Sequence, residues 1–512
     1  MKRFFWKDID KSAQQQQGQD NMIMLQEYQT AYHDMDENVK FLKDALSNPD
    51  DFKDRTIWVN GKKLILCYIK TLAESSTIEK KIMEPLHCRS MIDEPIESIV
   101  NIANYKRTDD LYVAVQGMLY GRCVLVEEGT NSLLLLDVFT SFDRAIEEPK
   151  TEQVIRGSHE GFIENLEKNI NLLRKRMHSR HFMVKYFVVG EQSKVRIALM
   201  YLSNIANEDL VKRVEERIRS VKIDIVQSPG HIEEYLDDNS YSPFPLLLNT
   251  ERTDRVIAHI AEGRLAMIID GSPTAFLMPV NFFSFYQSPD DYNTRWYIGS
   301  FYRIIRLFSF LIAIALPAIY IALVSFNFEI LPVELLFSVK ASLEYVPYPP
   351  LLEAMAMQLT LELLREAAVR LPSPIAQTLG VVGGLVIGTA VVEANLISNT
   401  MLIVVAITAI ASFIVPTTIM GTTVRLLGFP LMIAAATFGL IGISFALMLI
   451  LMHLCKATSL GVPYFAPAAP LKVKGLSDTF IRPLVWFKKE RPEEIKPKDK
   501  VRVKKPKVWK RK

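Results

Sequence analysis

The residues best suited to chemistry lie in ILPVELLFSVKASLEYVPYPPLLEAMAMQLTLELLREAAVRLPSP, where Glu362, Arg365 and Glu366 stand among apolar neighbours. Pro349 and Pro350 suit a helix start and Pro372 a stop, which predicts a helix over Leu351 to Arg370. At about 100° per residue, Met355, Gln358, Glu362, Arg365 and Glu366 share one side, with Leu359 at its margin. The opposite side, including Ala354, Ala356, Met357, Leu361 and Leu364, is small or apolar. Such a helix cannot face lipid all round. It can lie on a membrane surface, re-enter a protein-lined cavity, or line a water-filled path in an oligomer. Glu362 and Arg365 are one turn apart and can also pair along the helix.

Other candidate chemistry is sparse. Gly380, Gly384 and Gly388 recur at steps of four in an apolar run and lack the Lys-Ser/Thr end of a phosphate loop, so close helix packing is expected instead. Glu393, Asn395 and Asn399 interrupt the next join, either in an interfacial turn or facing a cavity. His231, His259 and His453 have no metal spacing, and no Ser/His/Asp or Cys/His set assembles. Cys67, Cys88, Cys123 and Cys455 suggest neither a disulfide framework nor a zinc site. No enzyme, cofactor or metal is expected.

The elements that hold these residues follow from apolar run length. Uncharged runs of at least the roughly 20 residues needed to cross hydrocarbon cover Leu307 to Phe328, Leu371 to Val392, Ala394 to Val424 and Leu426 to Met452. Four spans are expected, because buried helices of a large soluble protein would carry some charged face. Arg295, Arg303 and Arg306 precede the first run, while Glu329, Glu334 and Glu344 follow it against Lys340 alone. From Leu471 onward the chain carries 16 Lys or Arg against 5 Asp or Glu, a net of +11 within a whole-chain +3. Both termini are therefore expected in the cytoplasm. Residues 1–20 have no apolar core of signal-peptide length. The basic tail suits anionic lipid or disorder and needs no nucleic acid.

Ahead of the spans, two patterns look alike. Leu111 to Tyr120 reads as a helix leading through Gly121-Arg122 into the strands CVLVEE and SLLLLDV. Arg255 to Glu262 leads through Gly263-Arg264 into LAMIID and TAFLMPV. Alternation and β-branched residues between turn residues support strands in both, and each glycine suits a helix C-cap with positive φ. HFMVKYFVV and VRIALMYL add strands, and Asn207 to Arg219 a charged helix. The expected fold is an α/β soluble N-terminal region of two subdomains followed by an α-helical polytopic membrane domain. The divisions are a polar segment over 1–40, subdomains over 41–149 and 150–295, a membrane domain over 296–467, and a basic tail over 468–512.

Several segments then carry a family resemblance: EPKTEQVIRGSHEGFIENLEKNINLLRKR from Glu148, YSPFP from Tyr241, NTERTD from Asn249, SPDDYNTRW from Ser288, and VPYPPLLEAMAMQLTLELLREAAVRLPSPIAQTLGVVGG from Val346. Together they resemble the A subunit of GerA-type spore germination receptors, from about Leu111 to about Pro467. The resemblance implies a non-enzymatic role in the inner membrane of a bacterial spore. It also implies work with a transporter-like B subunit that binds the nutrient and a lipoprotein C subunit. Family members are proposed to form a homo-oligomeric ring around an ion path. Met355, Gln358, Leu359, Glu362 and Glu366 would then line that path, with Leu359 and Met355 as its apolar constriction. A non-conducting membrane scaffold or signalling subunit is the alternative.

Overall fold

The computed structural model describes residues 28–59, 61–88, 96–102, 104–139, 148–154 and 156–502. The chain divides into two compact units. The first comprises Met1–Glu147, Phe162–Ala206 and Leu265–Pro273; the second comprises Glu148–Gly161, Asn207–Arg264 and Thr274–Lys512. The 150–295 stretch contributes to both.

In the first unit, β1 (Phe52–Val59), β2 (Lys62–Ile69), β3 (Tyr105–Thr108), β4 (Arg122–Glu127) and β5 (Leu133–Asp137) form an antiparallel sheet in the order β1-β2-β4-β5-β3. Side chains alternate between its faces. Ile65, Cys67, Val124, Val126, Leu133 and Leu135 pack against the helices Met35–Ala45 and Leu111–Leu119. Leu64, Leu66, Leu125, Leu134 and Leu136 enter a second core with Ile78, Ile82 and Leu86. Coverage on both faces explains why KKLILCYI and LLLLD read as continuous apolar runs. Gly121 follows the Leu111–Leu119 helix with φ +83°, the left-handed cap that the sequence suggests.

The same unit holds β6 (Phe182–Val189), β7 (Val195–Leu202) and β9 (Leu265–Ile269), paired antiparallel as β6-β7-β9, and the helix Leu166–Arg176. Arg174 on that helix makes a two-pronged contact with Asp51, Nε donating at 2.9 Å and a terminal nitrogen at 2.7 Å. Thr71 Oγ1 donates to the same carboxylate at 2.6 Å. Both charged side chains are buried, so this pair joins the helix to the loops of the five-stranded sheet without solvent screening.

In the second unit, β10 (Ala275–Met278) pairs with β8 (Leu248–Thr250), beside the helices Glu208–Ser220, Pro229–Leu236 and Thr253–Ala261. Asn207 caps the first of these, with acidic residues in its first turn and Arg217 and Arg219 in its last, as the helix dipole favours. The helical layer follows: Trp296–Ser325, Val333–Leu343, Pro350–Arg370, Ser373–Glu393, Asn399–Phe413 and Thr418–Lys456. Trp296–Ser325 is long and apolar enough to cross a membrane, and so is Thr418–Lys456 when measured end to end across its break at Gly439.

The helix ends differ from the apolar runs. Arg303 and Arg306 lie inside the first long helix rather than before it. Arg303 is fully buried, and both guanidinium groups face Asp291. Arg425, which separates two apolar runs in the sequence, lies within Thr418–Lys456, and the helix boundary falls instead between Phe413 and Thr418, where Pro416 stands.

A second break occurs at Gly439, with φ +61° and ψ −141°. It reverses the chain. Thr423 Oγ1 donates to the Pro243 carbonyl at 2.7 Å, and His453 Nε2 lies 2.8 Å from Ser242 Oγ. Thr423 and His453 thus meet the same short segment from opposite sides of Gly439, while Gly439 itself packs on Phe326 at the far end of the first long helix. The two legs are antiparallel. A Cβ at Gly442 would overlap the Ala434 carbonyl oxygen, so the reversal demands glycine there for space as well as at Gly439 for conformation.

The C-terminal segment also differs from a free basic tail. Lys488 pairs with Glu262 and Asp478, Lys498 with Glu208, and Arg491 with Asp499. Burial acts to raise the Glu262 carboxyl, but Lys488 and Arg264 outweigh it and hold the group well below the usual carboxylate range. Residues 503–512 of the expected lipid-binding stretch lie outside the described residues.

Candidate functional site

The Pro350–Arg370 helix is placed by contacts at both of its ends. Near its start, buried Glu353 accepts from the Ser398 backbone N–H at 2.9 Å. Near its finish, Arg365 donates to Ser412 Oγ at 2.9 Å. Ser398 and Ser412 bracket the Asn399–Phe413 helix, so the two helices run side by side in the same direction. A helix lying across the layer could not meet both ends of its neighbour. Glu353 is buried in the protein at the N-terminus of Asn399–Phe413, where a carboxylate is favoured. Its position beside two prolines and two leucines gives no sign of that role.

Burial divides the residues that the sequence groups together. Leu359 is 56% exposed, and Leu352 and Leu363 are 51% and 63% exposed at helical spacing from it. Glu366 continues the same open stripe and pairs with Arg370 one turn on. Met355 and Glu362 sit half-buried at its border, and Gln358 is buried. The outward face is therefore more apolar than the sequence pattern suggests, with its charge confined to the last turns.

Glu362 is not a free carboxylate. Its Oε2 accepts from Arg365 at 3.0 Å and from Arg425 Nε at 3.1 Å, and its Oε1 accepts from Arg425 at 3.2 Å. Arg365 also lies over the Phe413 ring, 4.4 Å from its centroid, which adds a cation–π contact. Two cations share one anion, so the cluster carries a net positive charge. Arg425 appears in the sequence only as an interruption between apolar runs; a lone arginine in such a tract, with Glu362 on another helix, is the signal that could have paired them.

Gly380, Gly384 and Gly388 face open space within this chain: a Cβ at any of them would meet nothing within 4 Å. Gly383 is the close approach instead, since a Cβ there would lie 3.3 Å from the Leu364 side chain. Glu393 and Asn395 are exposed in the turn between Ser373–Glu393 and Asn399–Phe413, where Asn395 takes φ +52°. Of the histidines, His453 stacks on Phe244, and His259 is held well below its ordinary pKa, by burial first and by Arg264 next. Cys67 and Cys123 are buried in the first sheet, and Cys455 is exposed.

Residues 40–494 match the family of Bacillus/Clostridium GerA spore germination proteins. Spore germination protein A1 of Bacillus subtilis (strain 168) is 35% identical over 471 residues, 92% of this chain and 96% of that protein. Spore germination protein GerLA of Bacillus cereus is 34% identical over 90% of this chain and 96% of its own length. An uncharacterized membrane protein of Bacillus subtilis, YfkQ, is 36% identical over 85% of each chain. Among solved structures, the N-terminal domain of the A subunit of the Bacillus megaterium spore germinant receptor GerK3 aligns with 50% of this chain and 99% of its own, at 22% identity and a TM-score of 0.39.

Proposed function

Since this chain belongs to the GerA family of spore germination proteins, we propose that it is the A subunit of a nutrient-responsive germinant receptor, several copies of which surround a gated ion path. The observation that carries this reading is the Pro350–Arg370 helix. It runs alongside Asn399–Phe413 and leaves one stripe, Leu352, Leu359, Leu363 and Glu366, without cover. In a ring, that stripe supplies an apolar constriction at Leu359, which excludes water while shut, and Glu366 carboxylates, each paired with Arg370, at one mouth. The B subunit binds the germinant, the lipoprotein C subunit completes the receptor, and the site is the inner membrane of the spore.

The helical layer supports a multi-pass arrangement. Trp296–Ser325, Ser373–Glu393 and the first leg of Thr418–Lys456 run one way; Pro350–Arg370, Asn399–Phe413 and the second leg run back. These six segments differ from the four expected from the apolar runs; being even in number, they too return the chain to its starting side, with both termini cytoplasmic. Lys340 and Lys488 then face opposite sides. Open glycines at 380, 384 and 388 suit contact with another copy.

Ion release from spores carrying Leu359→Ala tests the path. A smaller side chain widens the constriction, so release without nutrient is expected. Glu366→Gln should lower cation flux with assembly intact. Normal dormancy in the first variant and unchanged conductance in the second, with both proteins assembled, would favour a non-conducting scaffold. The engagement of both Glu362 oxygens by Arg365 and Arg425 is what supports that second reading.

A further inference from the structure

We propose that the segment from Leu471 to Phe487, together with the first turns of the Trp296–Ser325 helix, forms a collar seated in the headgroup layer of a phospholipid bilayer. The proposal rests on the reading that Trp296–Ser325 crosses a membrane.

Register comes first. The Arg482 backbone N–H donates to Ser300 Oγ at 3.1 Å, and the Arg482 guanidinium donates to the carbonyls of Tyr292 and Thr294. The C-terminal segment is thereby held level with the first turns of the long helix. At that level two arginines point inward. Arg303 is fully buried against Asp291 and Asp478, and Arg482 is buried as well. The outward positions are large and apolar: Trp296, Tyr297 and Phe301 on the helix, and Ile481, Val485 and Trp486 on the segment, each between 47% and 64% exposed. A surface bathed in water would invert this arrangement, with the arginines outside and the rings within.

The chemistry of these side chains selects the occupant. Trp and Tyr combine an apolar body with a polar edge and collect at membrane–water boundaries. Their belt is continuous with the outward face of the helix that continues into the layer, where Phe308 and Leu311 are also exposed. A matching set of exposed residues, Phe326, Phe328 and Phe337, lies at the other end of that helix and just beyond it. From Tyr302 to Phe326 the helix rises about 36 Å, close to the roughly 30 Å of a hydrocarbon core with part of each headgroup region.

Single-tryptophan forms of the full chain in phosphatidylcholine vesicles test the collar. Trp6, Trp58, Trp509 and either Trp296 or Trp486 would be replaced by Phe, and emission followed as brominated lipids or aqueous iodide are added. The collar predicts that Trp486 and Trp296 both lose emission to lipids brominated near the headgroup and resist iodide. A chain carrying Phe445→Trp as its sole tryptophan should lose emission to deeply brominated lipid. If Phe445→Trp is quenched by lipid while Trp486 is quenched only by iodide, the collar fails and the membrane reading stands. If neither is quenched by lipid, both fail. A Trp486 shielded from lipid and iodide alike is covered by another copy or partner, and that result also overturns the collar.

Discussion

Two charge clusters, one in the α/β unit and one among the helices, differ in how completely they are paired. Arg174 and Asp51 form a neutral pair with two matched hydrogen bonds and a third from Thr71. Glu362, Arg365 and Arg425 form a charged triad in which one carboxylate serves two guanidinium groups, with Glu362 38% exposed. The first is complete within its own surroundings. The second is electrically unfinished, with two guanidinium groups to one carboxylate. A pair closed in this way anchors a fixed junction; the triad leaves an excess cation at the edge of an uncovered stripe.

Removing one partner should separate the two cases. Asp51→Ala leaves Arg174 buried without compensation, and a loss of about 3–5 kcal/mol is expected in chemical denaturation followed by fluorescence. Glu362→Gln should cost less, about 1–3 kcal/mol, because the site is partly open. Its sharper signature is rescue: Arg425→Gln added to Glu362→Gln should recover most of the lost stability, whereas Arg174→Gln added to Asp51→Ala still leaves Thr71 and the junction unpaired. Equal rescue at both sites would remove the distinction.

A pair of half-buried carboxylates, Glu233 and Asp237, behaves differently again. Glu233 and Asp237 are both pushed up to about 7, by burial first and then by neighbouring carboxylates. Because their folded values lie above the ordinary carboxylate range, their contribution is fully present below that range and is lost as pH rises from there through about 7. Protection of amides in the Pro229–Leu236 helix, taken relative to intrinsic exchange at each pH, should therefore fall across that interval, and Glu233→Gln should flatten the dependence. Unchanged protection would mean that solvent reaches both groups.

The smallest effect on the isolated chain belongs to Gly384→Leu. Its Cβ meets nothing within this chain, so thermal stability of the monomer should hold while the yield of higher assemblies falls. Unchanged assembly would turn that stripe toward lipid.

The strands are legible in the sequence because their signals are local. Alternation, turn residues and the glycines at 121 and 263 locate β4, β5, β9 and β10 to within a residue or two. The Pro350–Arg370 helix is legible from its bounding prolines. What stays hidden depends on partners remote in sequence: Asp51 meets Arg174, and Glu362 meets Arg425, through folding that no periodicity records. Charge also misleads about boundaries. Arginine normally marks an aqueous flank, so Arg303 and Arg306 read as preceding a span, but Asp291 and Asp478 pair with them within the helix. The reversal at Gly439 is silent for the opposite reason, since glycine in an apolar run carries no charge or turn cluster to announce it.

That reversal bears on how the chain is made. Its tip, Phe438-Gly439-Leu440, contains no ionisable group, so both legs can enter a bilayer as a hairpin without a charged loop being dragged across. A reporter fused after Phe438 should consequently read the opposite compartment from one fused after Lys456, although a hydropathy profile draws the two positions as a single uninterrupted segment.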